Sequence, residues 1–478
     1  MRILLPTGEA AYDTVRKASE GFDVDVRVTG KIASFLTPSL LEKLIQSGDY
    51  EMVIVSGMCT ADFSGVCKRL GVPVYLGPRH AADIGMVLSM LGDIELSADI
   101  PADDLISSCR KQEARNKLET LESDASCDFT IKELKIGGNS RIKVLAEIMD
   151  AHKNPELISV VLRYQKSGAD IIDLGFGFDA TPDDVRRTFE LVRNCGVPVI
   201  CAADTQDPAL IRAALPYADI ILSLQEKNIP EIAEEVAKSG VAAVVVPGEG
   251  TLEENIRSAQ NSGIVNIIAD PLLQPAGSGL LESLGDIAAY NRSEEGGFPV
   301  FFGAGNVTEL IDADSIGVNA LLCSLAMEAG AAIVFTSEHS DKTAGSVSEM
   351  RRAAEMMHLA SDRPYPKDLG VDLFCIKEKR KRREPEPEYV SIREADKMPD
   401  NLTFDPCGNF RIGVVNGRII AVNNGVAVTG DSWEDVFYDI LKSGKVSLLD
   451  HAAYLGKELY KAELAIRFGR SFEQDGPF

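Results

Sequence analysis

The sequence predicts an α/β protein built around a (β/α)8 TIM barrel, with a small doubly wound α/β domain before it and a small α+β domain after it. Three observations lead there. Residues 136–362 repeat a short apolar strand followed by a helix eight times. Residues 1–95 carry the same alternation through only four strands. Residues 400–478 change rhythm, to a hairpin and a long amphipathic helix.

In the first segment, "RILLPTG", "VDVRVTG", "EMVIVSG" and "VPVYLG" read as strands, separated by helices such as "TPSLLEKLIQSG". Such crossovers imply a parallel sheet. "PTGEA" and "VTGK" put glycines at strand ends, where open α/β sheets carry binding loops, but neither is a nucleotide-binding fingerprint. A docking or scaffold role is the expectation for this domain. Residues 96–135, rich in charge ("RKQEARNKLETLESD"), read as a helical connector. The barrel strands are "IKVLAEI", "ADIIDLG", "PVICAAD", "IILSLQ", "AAVVVPG", "NIIADP", "PVFFGAG" and "AAIVFTSE". Several of the intervening helices open on a Thr or Asp cap with Pro at the first helical position. Residues 363–399 hold "KEKRKRREPEPEY", a charged, Pro-containing linker. In the last segment "FRIGVVNGRIIAVNN" reads as a hairpin turning at "VNGR", and "LLDHAAYLGKELYKAELAIRF" as the long helix.

Composition bounds the function. The 478 residues carry a formal charge of −24, which repels phosphate backbones and anionic lipid and argues against nucleic-acid or membrane partners. No apolar run is long enough to span a bilayer, and "MRILLPTGEAAYDTV" reads as a first strand rather than a signal peptide, so a cytoplasmic location is expected. The nine cysteines form no CxxC pair. Cys201 and Cys323 lie in apolar runs and read as reduced core residues, while Cys59 and Cys67 flank a helix start, where no metal or redox role is expected.

In a TIM barrel, chemistry sits where the strands end. There the sequence places Glu147 and Asp150, Asp173, Asp204, Ser223 and Gln225, Pro247 and Gly248, Asp270, Asn306 and Glu338. Clustered carboxylates could hold a divalent cation. Alternatively, one carboxylate could accept two parallel N–H bonds from a heterocycle with an amino-amide edge. Acids at helix starts can also be simple caps, the reading given to Asp179 and Asp183. Asp204 and Asp270 are the strongest candidates, because each directly closes an apolar run.

These residues also carry a resemblance. "SGADIIDLGFGFDATPDDV", "PVICAADTQDPALIRAAL" and "IADPLLQP" resemble the second, third and sixth strand motifs of the pterin-binding TIM barrels. That superfamily comprises dihydropteroate synthases and methylpterin:corrinoid methyltransferases. The whole arrangement, with its tail "DHAAYLGKELYKAELAIRFGRSFEQD", looks most like the archaeal dihydropteroate synthase-related proteins. The resemblance implies a reduced pterin, of the tetrahydromethanopterin or tetrahydrofolate type. Asp270 would hold its pyrimidine edge, with Asp204, Asp173, Glu147, Ser223 and Gln225 lining the pocket and Asn306 near N5. Asn306 and Asp204 would be the catalytic pair, and "GNVTELIDADSIGVNALL" keeps the methyltransferase form, including Asn319.

Departures from the pattern favour one branch. Ser223 stands where the family has an Asn, and strand 7 offers neither Lys nor Arg. Diphosphate displacement would have to rely on Lys342 and on Mg²⁺. Methyl transfer asks for less positive charge, with a corrinoid brought by a protein in trans, since no DxHxxG motif occurs. Three readings follow: methyl transfer from a methylated pterin, a dihydropteroate synthase-like condensation with an arylamine, and a non-catalytic pterin carrier. No metal site belonging to the chain itself is expected, and a homodimer is the assembly such barrels suggest.

Overall fold

The computed structural model describes residues 2–92, 94–292, 297–377, 390–396 and 404–478, with residues 107–109 described by backbone alone. The linker read at 363–399 therefore lies partly outside the described residues. The chain divides into two units, Met1–Leu373 and Phe374–Phe478.

The first unit begins with four parallel strands, β1 (Ile3–Thr7), β2 (Val24–Val28), β3 (Met52–Val55) and β4 (Val74–Leu76), in the order β2-β1-β3-β4. Side chains alternate across a strand. Leu4, Val53 and Val55 therefore pack on one face with Leu41 and Val66, while Ile3, Leu5 and Ile54 pack on the other with Val87 and Leu88. Both faces are covered, which is why these strands read as continuous apolar runs. Cys59 is buried and Cys67 sits inside the helix Ser64–Leu70; both are free thiols.

The segment read as a connector contains the helix Ser107–Asp124 and, unanticipated from the sequence, an antiparallel hairpin of β5 (Phe129–Ile131) and β6 (Leu134–Ile136). Ile131 and Ile136 pack with Leu145, Ile171 and Ile220, so the hairpin plugs the barrel at the end where its strands begin.

The barrel is closed and all-parallel: β7 (Lys143–Ile148), β8 (Ile171–Gly175), β9 (Cys201–Asp204), β10 (Ile220–Leu224), β11 (Ala242–Val245), β12 (Ile267–Ala269), β13 (Val300–Phe302) and β14 (Ala331–Ser337). Val144, Ile172, Ala203 and Val245 face the surrounding helices, while Leu145, Ile171, Ala202 and Val244 fill the interior. At the strand starts, Arg141 grips Asp170 with two bonds (2.6 and 3.0 Å), and Arg351 (3.0 Å) and the Val144 N–H (2.8 Å) bind the same carboxylate. The attraction of Arg141 overcomes the cost of burial and lowers the Asp170 pKa. Lys143, fully buried, donates to Glu122 (2.8 Å) and Ser140 (3.1 Å).

The helix after β8 corrects one sequence reading. Its cap is Thr181, in a capping box with Asp184, not Asp179 or Asp183. Asp183 pairs with Arg186, and Asp179 with Lys153 (2.8 Å).

The second unit is a meander of β15 (Arg411–Val415), β16 (Arg418–Asn423) and β17 (Val426–Gly430), joined by two Asn-Gly turns. All four turn residues have positive φ: Asn416 51°, Gly417 71°, Asn424 49° and Gly425 81°, the geometry that matches strand twist in a two-residue hairpin. The helices Trp433–Lys442 and Leu449–Arg467 cover the sheet through Val436, Ile440, Leu455 and Leu459. The distinctive tail is largely accounted for by packing. Asp405 accepts from the Ser447, Leu448 and Cys407 N–H groups, the Ser447 hydroxyl and His451. Gln474 clasps Ile412 and Phe410, and buried Glu458 accepts from Lys461 and the Asp475 N–H. Among the described residues, no helix is long and apolar enough to cross a membrane.

Replacing Asp170 leaves Arg141 buried and unpaired. Asp170→Ala is expected to cost about 3–5 kcal/mol, read by chemical denaturation, while Thr181→Ala at the exposed cap costs about 1 kcal/mol.

Candidate functional site

The mouth of the barrel follows from strand parity. Leu145 and Ile171 point inward, so two residues on Glu147 and Asp173 do as well, one layer nearer the strand ends. Asp204 and Asp270 reach the same layer by following Ala202 and Ile268. Oxygens of Glu147, Asp173 and Asp204 come within 4.8 Å of one another. Asp173 is fully buried, and neither of its carboxylate oxygens has a hydrogen-bond partner.

Electrostatics set the proton content of this cluster. Burial raises the Glu147 pKa to about 7, helped by Asp204 and Glu309. Burial, with Asp204 and Glu147 adding repulsion, lifts Asp173 well above the usual carboxylate range. Burial also lifts Asp204, against the hydroxyl of Ser223, which donates to it at 3.0 Å. Asp270 rises to about 7 from burial, offset in part by the Leu272 N–H (2.9 Å) and increased slightly by Asp204. Buried like charges this close cannot all ionise, so the mouth holds protons at neutral pH.

The remaining candidates occupy the rim. Ser223 has a φ of 65°, and a register irregularity in β10 between Ile221 and Leu224 accompanies its turn toward Asp204. Gln225 donates to Gln206 (3.0 Å) and is nearly buried. Asn306, exposed in the short helix Gly305–Thr308, donates from Nδ2 to the Leu273 carbonyl (3.0 Å), tying the β13 exit to the β12 exit just beyond Asp270. Lys342 pairs with exposed Asp312 (3.0 Å). Asn319 is fully buried between two helices, bonded to Thr308 (2.8 Å), Ser346 (3.1 Å) and Glu349 (2.9 Å), and its role is to brace them.

Two features escaped the sequence reading. Glu309 accepts from the hydroxyls of Ser337, Ser340 and Thr343 and from the His339 N–H, fixing the β14 exit. Asn228, buried, accepts from the Gln225 N–H (2.9 Å) and donates to the Gln206 and Ser223 carbonyls (both 3.2 Å). Both follow their strand by several residues, and only the folded loops bring them back.

Among the described residues, two sets of side chains have the spacing to hold a metal ion: Glu147 with Asp173 and Asp204, and Asp150 with His152 and Asp179. The first offers only hard oxygen donors, as Mg²⁺ or Ca²⁺ prefer. Cations at the exits are already engaged: Lys153 with Asp179 (2.8 Å), Arg163 with Glu338, Lys227 with Glu249 (3.1 Å) and Lys342 with Asp312.

The uncharacterized protein MJ0107 of Methanocaldococcus jannaschii is 34% identical to this chain over 519 aligned positions, covering 99% of this chain and 98% of that protein. The family described as PterinBD-DUF4346 matches residues 404–475, within the second unit. Among solved structures, a dihydropteroate synthase from Thermus thermophilus covers 46% of this chain and 94% of its own, at 20% identity and a TM-score of 0.38. Rv1207 of Mycobacterium tuberculosis covers 50% of this chain and 99% of its own, with the same identity and score. At those values neither carries an argument about function.

The carboxyls at the mouth are protonated when folded at pH values where unfolded carboxyls, near 4, are ionised. Folding therefore takes up protons between about pH 4 and 7, and the stability of the ligand-free chain falls as pH rises through that window. Asp173→Asn replaces the most buried of these carboxyls with an amide that needs no proton. It is expected to raise stability at pH 7.5 by on the order of 1–3 kcal/mol and to flatten the fall, measured by thermal unfolding across pH.

Proposed function

The chain belongs to the family of the M. jannaschii protein MJ0107, and from that premise we propose that it is a reduced-pterin-binding transferase whose substrate is a methylated pterin of the methanopterin or folate type. The observation that carries the reading is Asp270. Its carboxyl is buried at the β12 exit, bonded to one backbone N–H and held at about 7. A buried acceptor of this kind is costly until a ligand supplies donors. The amino-pyrimidinone edge of a pterin presents two parallel N–H groups, which a carboxylate accepts as a bidentate pair.

The second requirement is a proton. Methyl transfer from N5 leaves an electron pair on that nitrogen, and protonating it makes the pterin a better leaving group. Glu147, at about 7, together with Asp173 and Asp204, forms a store of protons beside the Asp270 site. In the proposed step a proton passes from this cluster to N5. The N5–methyl bond breaks with its electrons remaining on N5, and the methyl group joins an incoming two-electron nucleophile such as a Co(I) corrinoid carried by a partner. Asn306, exposed at the neighbouring exit, would orient the ring, and Asp204, hydrogen-bonded to Ser223, would steer the proton.

One observation favours a second reading. The Glu147–Asp173–Asp204 cluster is spaced to hold Mg²⁺, which could neutralise a diphosphate leaving group in a synthase-like condensation with an arylamine. Against it, the four cations at the exits are committed to carboxylates, Lys342 among them.

Titration with tetrahydrofolate and tetrahydromethanopterin is expected to show saturable binding that Asp270→Ala weakens by on the order of 100-fold. Binding should also weaken below about pH 7 in the unmodified chain, because the acceptor form of Asp270 is the ionised one. No binding to either pterin would sink the reading. Consumption of Co(I) corrinoid with a methylated pterin separates methyl transfer from the synthase, which would instead release diphosphate. Tight binding with neither reaction would mean a carrier.

A further inference from the structure

A cavity of about 340 Å³ lies away from the barrel mouth, at the ends of the first four strands. Its walls are the exits of that sheet: Thr7 and Gly8 at the end of β1, Lys31 after β2, Ser56 after β3 and Arg79 after β4. In the order β2-β1-β3-β4, β1 connects to β2 on one side and β3 lies on the other, so the cavity opens at the point where the winding reverses. In open α/β sheets, that is where the loops part and leave room for a ligand. The walls are drawn close by glycine. A Cβ on Gly8 would stand 2.6 Å from the Lys31 carbonyl oxygen, and one on Gly57, beside Ser56, 2.4 Å from that of Gly77.

The lining has the opposite sign from the rest of the molecule. Although 73 of the 478 residues are acidic, no Asp or Glu among the described residues lines the cavity. Lys31, Arg79 and Lys367 do. Neither Lys31 nor Lys367 has an ion-pair partner among the described residues, unlike the lysines at the barrel exits. The Arg79 side chain is only 6% exposed; it binds Asp103 and Asp104 through its terminal nitrogens and leaves its Nε–H buried without an acceptor. Tyr365 lies on the same lining with its ring steeply inclined to that of His80, centroids 5.7 Å apart, and half its surface is open to a ligand. Leu5, Ile32 and Val55 supply an apolar floor.

We propose that this cavity is a second binding site, for a small molecule that joins a planar ring to a phosphate or carboxylate. The ring would lie against Tyr365 and the apolar floor, and the anion between Lys31 and Lys367. The size falls within the range of ordinary ligand pockets. The proposal does not depend on the pterin reading, because the two sites share no residue.

The test is calorimetric titration of the full chain with AMP, GMP, UMP, 4-hydroxybenzoate and inorganic phosphate. At least one planar anion is expected to bind one-to-one, more tightly than phosphate alone and more weakly as salt is raised. The double variant Lys31→Ala/Lys367→Ala should weaken it at least tenfold and Tyr365→Ala severalfold; all three side chains are exposed, and their melting curves should match that of the unmodified chain. Asp270→Ala should leave it unchanged. Failure of the whole panel to bind, binding indifferent to the lysines, or binding lost with Asp270 would each overturn the proposal.

Discussion

Four carboxyl groups crowded at one barrel mouth, largely out of solvent, is the constraint on which the site depends. A closed parallel barrel buries a layer of Leu, Ile and Val, and parity then forces the next inward residues to share what little space remains. Where those residues are Glu147, Asp173, Asp204 and Asp270, burial and mutual repulsion hold them partly protonated. No cation among the described residues pulls these carboxyls back down, since the charges that act on them are those of other acids. Stability is given up at the mouth and recovered at the opposite end, where Asp170 is held by two arginines.

The fold was legible because strand and helix have different periods and the chain keeps them apart. The eight barrel strands lie within the runs read from the sequence, and the four-stranded sheet and the "VNGR" turn stand where composition put them. The β5–β6 hairpin was not legible: three-residue strands are too short for a period, and only the barrel end they plug gives them meaning. That Glu147, Asp173, Asp204 and Asp270 stand together at the barrel mouth could be read because an acid closing an apolar run needs no tertiary information. Glu309 and Asn228 could not, since their partners lie on loops that fold back from other positions. Asp179 was misread as a cap because its true partner, Lys153, comes from the preceding strand's exit loop.

Asn319 shows the limit of reading a motif by its letters. It sits in a stretch that looks like a ligand-binding helix, yet it is fully buried and satisfied by Thr308, Ser346 and Glu349. Asn306, thirteen residues earlier, is exposed and spends one amide hydrogen holding the Asp270 loop. Sequence placed both asparagines near the site, and burial separates the brace from the rim residue.

The hairpin that stoppers the barrel carries a kinetic consequence. Ile131 and Ile136 fill one end of the barrel, and the four carboxyls sit at the other, where the strands end. A ligand seated in that opening would cut the cluster off from bulk water. Exchange of the carboxyl hydrogens with solvent would then slow while the ligand stays, and deuterium would enter as it leaves.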